Sequence, residues 1–195
     1  MRIGIAALAL VAVACARPPP GPLRAPFVTT PPDVVRAMLE LARVDDGDLV
    51  YDLGCGDGRV VVAAARDYGA RAVGFDIDPE RVAESRANVQ AAGVADRVRI
   101  ERADVFELDL RPASVVTLFL LQALNDRLVP QLEQLAPGTR IISHRYRLRG
   151  VRPPKEVRMV SREDHATHTL FLWVVPFEGR RAREQADGAA AVGGF

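Results

Sequence analysis

Short apolar runs and amphipathic segments alternate through the middle of the chain, and each kind of pattern predicts one kind of element. Val34, Val35, Met38 and Leu39 recur at helical spacing and predict a helix that Thr30 would cap. Short runs rich in branched apolar residues between turn residues predict strands. The predicted helices span 31–42, 59–68, 78–92 and 124–135, and the predicted strands span 49–53, 72–77, 98–102, 114–121, 140–146, 157–161 and 169–175.

The order of these elements predicts the fold class. Strands that alternate with helices form βαβ units, which place parallel strands in one sheet and cover its faces with helices. The last two strands are expected to be antiparallel. Gly69 and Gly93 are expected to end the second and third helices, and Pro130 is expected to kink or divide the fourth. The sequence therefore predicts a single doubly wound α/β domain over residues 25–178.

Both ends of the chain differ from this middle part. Arg2 is followed by an uncharged run from Ile3 to Ala14 that ends in small residues before Cys15. Residues 1–24 therefore resemble a bacterial lipoprotein signal with a Pro-rich tether, which predicts membrane association through the N-terminus. An uncleaved anchor or a misassigned start codon remains an alternative, and the cytoplasmic and the exported side are both open. Residues 179–195 lack periodicity and predict a disordered tail.

Composition narrows the class of protein. The chain has 195 residues, 49% of them hydrophobic, and 26 Lys+Arg against 25 Asp+Glu, which gives a formal net charge of +1. This balance excludes a wholly disordered chain and a multi-span membrane protein, and it argues against nucleic acid as a partner. Two cysteines are too few for a disulfide scaffold, and His165 and His168 lack a third ligand, so we expect no metal.

A glycine-rich turn follows the first predicted strand. In open α/β sheets, ligands bind beyond the carboxyl ends of the strands. Glycines in such a turn let the backbone approach a ligand closely, and the helix that follows presents free N–H groups. The candidate binding residues of this turn are Asp52, Gly54, Cys55, Gly56, Asp57 and Gly58. Cys55 is interpreted as a small buried residue beneath a ligand, and Asp57 either contacts an amine or favours the helix N-terminus.

Acidic residues also end the second and third predicted strands. Asp76, with Ile77 beside it, can accept hydrogen bonds from both hydroxyls of a ribose. Asp104, followed by Val105 and Phe106, can hold an adenine by its exocyclic amine and one face. Asp78 before Pro79 is interpreted as a helix cap.

The spacing of the glycines separates two cofactor classes. A dinucleotide fingerprint needs a third glycine or an alanine where this chain has Arg59 or Val61. The pattern present is D-x-G-x-G-x-G, and it resembles motif I of class I S-adenosylmethionine-dependent methyltransferases. The resemblance implies S-adenosyl-L-methionine as cofactor and a Rossmann-like, mostly parallel sheet of seven strands.

Longer segments resemble one group within that superfamily. The segments 26–42 (PFVTTPPDVVRAMLELA), 50–65 (VYDLGCGDGRVVVAAA), 114–121 (SVVTLFLL) and 137–144 (PGTRIISH) are similar to the small protein-lysine methyltransferases related to the enzyme that acts on the ATP synthase c subunit. This resemblance implies a protein lysine as acceptor, and it adds Thr30 to the candidate cofactor residues. The chain departs from the group at Thr29 and Gln122, where proline is expected, so the acceptor stays open.

Methyl transfer from S-adenosylmethionine requires little of the protein beyond alignment of the reactants and control of charge. A lysine acceptor must first lose a proton, which costs roughly 4 kcal/mol at pH 7.5. His144 either lines the acceptor end of the site or is a core histidine. The run from Leu118 to Gln122 lacks the acidic-or-Asn-Pro-Pro-aromatic motif of many amide and adenine methyltransferases. A small-molecule or lipid methyltransferase, and a non-catalytic S-adenosylmethionine-binding lipoprotein, remain alternatives.

Overall fold

One mixed sheet organises the part of the chain that the computed structural model describes, residues 28–177. The helices are α1 (Pro32–Leu41), α2 (Arg59–Tyr68), α3 (Pro79–Ala91) and α4 (Gln122–Leu132), and the strands are β1 (Leu49–Leu53), β2 (Arg71–Asp76), β3 (Val98–Arg102), β4 (Val115–Leu118), β5 (Arg140–His144), β6 (Lys155–Val160) and β7 (Thr167–Val174). Helices and strands alternate from α1 to β3, and β4 follows β3 without a helix between them.

The strand order across the sheet is β3-β2-β1-β4-β5-β7-β6. The first five strands in this order pair in parallel, and β7 pairs antiparallel with both β5 and β6. The chain leaves β1 toward β2 on one side and returns to β4 on the other. Strand order therefore reverses beside β1, and the crevice for a ligand lies at the carboxyl ends of β1, β2 and β4.

The sheet separates two apolar layers. Helices α1, α2 and α3 pack on one face, where Val34, Leu39 and Val61 are buried, and α4 packs on the other with Leu128. Side chains alternate between the faces along β1, since Val50 joins the first layer and Leu53 the second. Each fully buried aliphatic side chain contributes about 1.5–3 kcal/mol. The prediction of a doubly wound α/β sheet with an antiparallel end is confirmed.

Several predicted boundaries are wrong near the carboxyl edge. Strand β4 ends at Leu118 rather than residue 121, because the chain turns there so that Leu120 covers Gly54. Leu121 then serves as the N-cap residue of α4, which begins two residues earlier than predicted. Strand β5 ends at His144 rather than residue 146. Pro130 does not divide α4, although it lies in the last turn and cannot donate to the carbonyl oxygen of residue 126.

Thr30 does not cap α1. Pro31 is the N-cap residue, without a side-chain cap hydrogen bond, and the Thr30 hydroxyl lies 3.3 Å from Nδ1 of His144 instead. The predicted signal segment with Cys15, the tether and the C-terminal tail lie outside the described residues, so their structure is not addressed. Within residues 28–177, no helix combines the length and the apolar character needed to cross a bilayer.

Gly74 in β2 leaves the room that Cys55 occupies. A Cβ atom at Gly74 would lie 2.9 Å from the Cys55 sulfur and 2.9 Å from Cδ1 of Ile100. We expect Gly74→Ala to lower the free energy of unfolding by about 1–3 kcal/mol through overpacking. The measurement is urea unfolding followed by circular dichroism.

A background variant makes this test specific. In a Cys55→Ala, Ile100→Val protein, two of the crowding atoms are gone, and the same glycine substitution should cost less. An equal cost in both backgrounds would contradict the packing explanation.

Candidate active site

The turn after β1 is held against the end of β2. The backbone N–H groups of Gly54 and Cys55 both donate to the carbonyl oxygen of Phe75, at 2.8 and 2.9 Å. Gly54 has φ +79°, and a Cβ there would lie 2.6 Å from the Leu120 side chain. Only glycine therefore allows Leu120 to cover this turn.

The Asp76 side chain links the turn after β1 to the turn after β2 by hydrogen bonds. Its Oδ2 accepts a hydrogen bond from the backbone N–H of Gly56 at 2.9 Å, and its Oδ1 accepts one from the backbone N–H of Asp78 at 2.9 Å. Each carboxylate oxygen keeps a further lone pair. The carboxylate is thus fixed in orientation and is still able to accept hydrogen bonds from a ligand.

These loops surround a cavity of about 180 Å³. Of the predicted cofactor residues, those that line it are Thr30, Asp52, Gly54, Cys55, Gly56, Asp57, Asp76, Ile77, Asp104, Val105 and Phe106. The site is therefore assembled from residues 28–30, the β1 turn, and the ends of β2, β3 and β4.

Gly58 is the exception among the predicted cofactor residues. It does not line the cavity, and it is the N-cap residue of α2 with φ +80°. A Cβ at this position would lie 2.9 Å from Cβ of Ser85 on α3. Close packing of two helices therefore explains a glycine at this position, and a cofactor contact of Gly58 stays a prediction.

Asp57 forms an ion pair with Arg59, a cavity residue that the sequence pattern did not single out. Arg59 Nη2 lies 2.5 Å from Asp57 Oδ2, and its Nη1 donates to the carbonyl oxygen of Thr30 at 2.7 Å. Burial disfavours the charged carboxylate, but the hydrogen bonds and charge of Arg59 hold the pKa of Asp57 below its usual value. The backbone N–H of Arg59 also donates to Asp57, which supports the helix N-terminus interpretation.

Asp52 is a buried carboxylate at the floor of the cavity. Its Oδ1 accepts a hydrogen bond from Thr117 Oγ1 at 2.6 Å. Burial, together with the negative charges of Asp76 and Asp57, raises the pKa of Asp52 to about 7. A cationic group in the cavity would therefore interact with a carboxylate that titrates near neutral pH.

Cys55 fits the interpretation of a packing residue. Its side chain is buried, and burial raises the pKa of the thiol well above its usual range. Nucleophilic cysteines need the opposite shift. Asp78 lines the cavity and also caps α3, because its Oδ1 accepts the backbone N–H of Glu80 at 2.8 Å.

The residues proposed to hold adenine are supported by Arg127, a contact that the sequence pattern does not reveal. Asp104 Oδ1 accepts the backbone N–H of Phe106 at 3.0 Å. The guanidinium of Arg127 on α4 covers the Phe106 ring at 3.8 Å from its centroid. One ring face is therefore occupied by a cation, and Gln131 donates to the Phe106 carbonyl oxygen.

His144 is not among the residues that line the cavity, which favours the interpretation as a core histidine. It is 1% exposed and lies behind Phe119, with ring centroids 4.1 Å apart. It meets cavity residues only through Phe119 and Thr30. Among residues 28–177, no group of three or more potential metal-ligating side chains is positioned to hold an ion.

Apolar side chains that the sequence pattern did not reveal complete the cavity on the β4 side. Phe119, Leu120 and Leu124 follow β4, and Val28 approaches from the N-terminal side. Five aspartates line the cavity with two arginines, so its lining is acidic overall. This combination suits a ligand with a ribose, a flat base and a cationic end, which are the parts of S-adenosylmethionine.

The fold and this site define a class I S-adenosylmethionine-dependent methyltransferase. The family model described as "ANTKMT methyltransferase domain" matches residues 52–155. The chain belongs to this family.

Two similar proteins narrow the group further. The chain is 47% identical over 152 residues to a protein-lysine N-methyltransferase of Saccharolobus islandicus, covering 77% of this chain and 93% of that protein. It is 34% identical over 122 residues to the lysine N-methyltransferase of the ATP synthase c subunit from Mus musculus, covering 62% of this chain but only 49% of the mouse protein.

A solved structure has the same sequence identity to this chain as the Saccharolobus islandicus protein. The crystal structure of an RNA methyltransferase from Salinibacter ruber in complex with S-adenosyl-L-homocysteine superimposes with a TM-score of 0.72 at 47% identity. The match covers 76% of this chain and 94% of that one. The cofactor class predicted from the glycine motif is confirmed, and so is the resemblance to the lysine methyltransferase group.

We expect Asp76→Asn to weaken S-adenosylmethionine binding by at least about tenfold, because a hydrogen bond to a charged group contributes about 1.5–3 kcal/mol. Asparagine keeps one acceptor oxygen for the loop, so the fold should survive. Isothermal titration calorimetry measures the affinity. Asp96→Asn, which changes an exposed carboxylate that does not line the cavity, is the matched control. Unchanged binding by the Asp76 variant would contradict the ribose assignment.

Asp52→Asn should change how stability depends on pH. The folded pKa of Asp52, about 7, lies above the usual value of 3.8, so its proton is held more tightly in the folded protein. This contribution to stability is present below about pH 4 and is lost as pH rises through 7. The free energy of unfolding of the variant should therefore increase relative to wild type between these values.

Chemical denaturation at several pH values measures the difference. Asp67→Asn is the control, because Arg66 lowers the pKa of Asp67 and its contribution is lost only as pH falls. A difference between Asp52→Asn and wild type that stays constant from pH 4 to 8 would contradict the buried-acid assignment.

Proposed function

We propose that this protein transfers a methyl group from S-adenosylmethionine to the side-chain amine of a protein lysine. The observation that carries the proposal is the 47% identity to a protein-lysine N-methyltransferase across 93% of its length. The second, more distant lysine methyltransferase supports the same acceptor. The apolar end of the cavity is consistent with it.

The cofactor residues are proposed from the geometry of the cavity. Asp76 and Ile77 would hold the ribose, and Asp104, Val105 and Phe106 would hold the adenine. The turn at Gly54 and Gly56 would face the methionyl end, and Thr30, which is linked to Phe119 through His144, would lie between this end and the apolar wall. When bound, S-adenosylmethionine supplies a methyl group that its sulfonium makes electrophilic.

The protein's own contribution on the β4 side is alignment and exclusion of water. Phe119, Leu120 and Leu124 form apolar walls that can pack along the methylene stem of a lysine. A desolvated amine beside a positive charge has a lowered pKa, which increases the fraction of nucleophilic free amine. Alignment of the amine with the methyl group supplies the rest.

RNA is the second candidate acceptor, because the similar protein from Salinibacter ruber is described as an RNA methyltransferase. Two features of this chain support lysine over RNA. The segment after β4 reads Leu-Phe-Leu-Leu-Gln, without the polar Pro-Pro-aromatic motif. In the cationic segment after β5, Arg147 pairs with Glu156 at 2.6 Å and Arg149 with Asp126 at 3.5 Å, so their charges are balanced by carboxylates.

The chain's single lysine, Lys155, allows a clean assay. A Lys155→Arg protein cannot methylate its own side chain, so label on protein must come from a substrate. We expect this variant to transfer radiolabelled methyl groups from S-adenosylmethionine into discrete protein bands of a cell extract. The label should resist ribonuclease, be removed by protease, and map to lysine by mass spectrometry. The Asp76→Asn version should give little label.

Other outcomes are equally informative. Label that ribonuclease removes would replace lysine with RNA as the acceptor. Label in the organic phase would indicate a lipid, and label in small molecules a metabolite. Cofactor binding without any transfer in extract or membranes would favour a non-catalytic binding protein.

Membrane association through residues 1–24 stays a proposal from the sequence. The apolar run before Cys15 supports it, and the described residues do not include this segment. Fractionation of cells that produce the full chain, compared with a Cys15→Ser variant, measures it.

A further inference from the structure

A row of four hydrogen-bonded side chains runs from the cavity to the protein surface. Thr30 Oγ1 lies 3.3 Å from His144 Nδ1, and His144 Nε2 lies 2.8 Å from His168 Nδ1. His168 Nε2 lies 3.1 Å from both carboxylate oxygens of Asp164. Residues 114 positions apart in the chain are joined in this way, so the row depends on the tertiary fold.

The two ends of the row differ in environment. Thr30 lines the cavity, whereas the Asp164 side chain is 45% exposed. The two imidazoles between them are buried, with His144 at 1% and His168 at 6% exposure. The row therefore connects the active-site cavity with solvent through the protein interior.

Counting donors and acceptors fixes the direction of every hydrogen bond. The ionised Asp164 carboxylate only accepts, so His168 carries its proton on Nε2 and, when neutral, leaves Nδ1 as an acceptor. His144 must then donate from Nε2, which leaves its Nδ1 bare. The Thr30 hydroxyl consequently donates to His144, and its oxygen can still accept a hydrogen bond.

The surrounding charges favour this arrangement. Burial, aided by His168 and by the charge of Arg145, lowers the pKa of His144 to about 3, while Asp164 acts in the opposite direction. His144 is therefore a neutral imidazole at physiological pH. Hydrogen bonds from the Ala166 N–H and from His168 hold the pKa of Asp164 below its usual value. A neutral His144 ring beside an ionised Asp164 carboxylate is thus favoured.

The surface end is held in place by helix α1. Asp33 accepts hydrogen bonds from Ser161 Oγ at 2.8 Å and from the Arg162 backbone N–H at 2.7 Å. These bonds fix the turn between β6 and β7 that carries Asp164. The row is therefore built on two strands and a tethered turn rather than on a loose loop.

Strand order shows which part of the cavity the row reaches. The proposed ribose and adenine residues follow β2 and β3, on one side of β1. His144 ends β5, beyond β4 on the other side, and it packs against Phe119 of the apolar wall. The Thr30 hydroxyl consequently lies at the end of the cavity where the acceptor amine is expected.

We propose that Thr30, His144, His168 and Asp164 form a proton relay that removes a proton from the acceptor amine. This inference rests on the proposed lysine acceptor. The ammonium of the substrate gives a proton to Thr30 Oγ1, while the hydroxyl proton moves to His144 Nδ1. The Nε2 proton of His144 moves to His168 Nδ1, and the Nε2 proton of His168 moves to Asp164, which releases it to water. One proton leaves the amine and one reaches solvent. Each imidazole is left with its proton on Nδ1, so both rings must turn over to return to the Nε2 tautomer before the next proton can pass.

The direction of the hydrogen bonds is testable without any acceptor. The chain has three histidines, so long-range ¹H–¹⁵N spectra of the imidazoles can be assigned completely. We expect His144 and His168 both to be neutral with the proton on Nε2 at pH 7.5. Thr30→Val should shift the Nδ1 resonance of His144 without changing its tautomer. A proton on Nδ1 of His144 would overturn the relay, since Thr30 could not then donate to it.

Kinetics test whether the relay is used. We expect His168→Asn to lower kcat for lysine methylation at least tenfold at pH 7.5, with unchanged S-adenosylmethionine affinity. The deficit should disappear toward pH 10, because the amine then loses its proton without help. His165→Asn is the matched control, since this exposed histidine belongs to the same turn and its left-handed backbone suits asparagine.

Two further variants guard against misfolding. Asp164→Asn changes an exposed side chain and should give a smaller deficit with the same pH dependence. Thr30→Ser should keep activity that Thr30→Val loses.

Three outcomes would contradict the relay. A deficit of equal size at every pH would mean that His168 only supports packing. Loss of cofactor affinity in step with kcat would make Thr30 a cofactor ligand instead. A wild-type enzyme that forms no methyl-lysine would remove the proposed acceptor and the relay together, whereas methyl-lysine with a pH-independent deficit would remove the relay alone.

Discussion

The active site depends on three backbone hydrogen bonds that tie the turn after β1 to the end of β2. Gly54 and Cys55 donate to one carbonyl oxygen of Phe75, and Gly56 donates to the carboxylate of Asp76. These bonds place the turn and the carboxylate relative to one another before any ligand binds. Such preorganisation lowers the ordering cost of binding, because loop and side chain are already fixed.

The packing beneath the turn follows from these hydrogen bonds. Cys55 must lie over β2, and Gly74 is the residue that leaves it space there. Asp52 is buried as a further consequence, and Thr117 on β4 satisfies one of its oxygens. The site therefore extends the same constraint across three neighbouring strands.

Much of the fold and most of the cofactor cavity could be predicted from the sequence, because both depend on local signals. Glycines and aspartates directly follow predicted strands, and the carboxyl ends of parallel strands meet at one edge. The sequence did not predict contacts between segments that are far apart along the chain. Gly58 belongs to the motif by spacing, yet only the approach of α3 shows that it serves helix packing.

The row of histidines illustrates the same limit. His144 and His168 lie on different strands, and no periodicity indicates that their rings meet at 2.8 Å. The predicted end of β4 lies too far along the chain for a related reason, since Phe119, Leu120 and Leu121 continue the apolar run beyond the last paired position. A sequence pattern records which residues are apolar, but the termination of pairing depends on what the neighbouring loops must cover.

The position of β7 has a consequence for synthesis of the chain. This strand is the last in the described part, yet it lies between β5 and β6 and pairs with both. A nascent chain emerging from the ribosome therefore has β6 without its neighbour until residues 167–174 are available. The sheet closes by insertion of its final strand, and a chain stopped before that point would expose unpaired strand edges to aggregation. Closure of the sheet therefore depends on residues 167–174 being available.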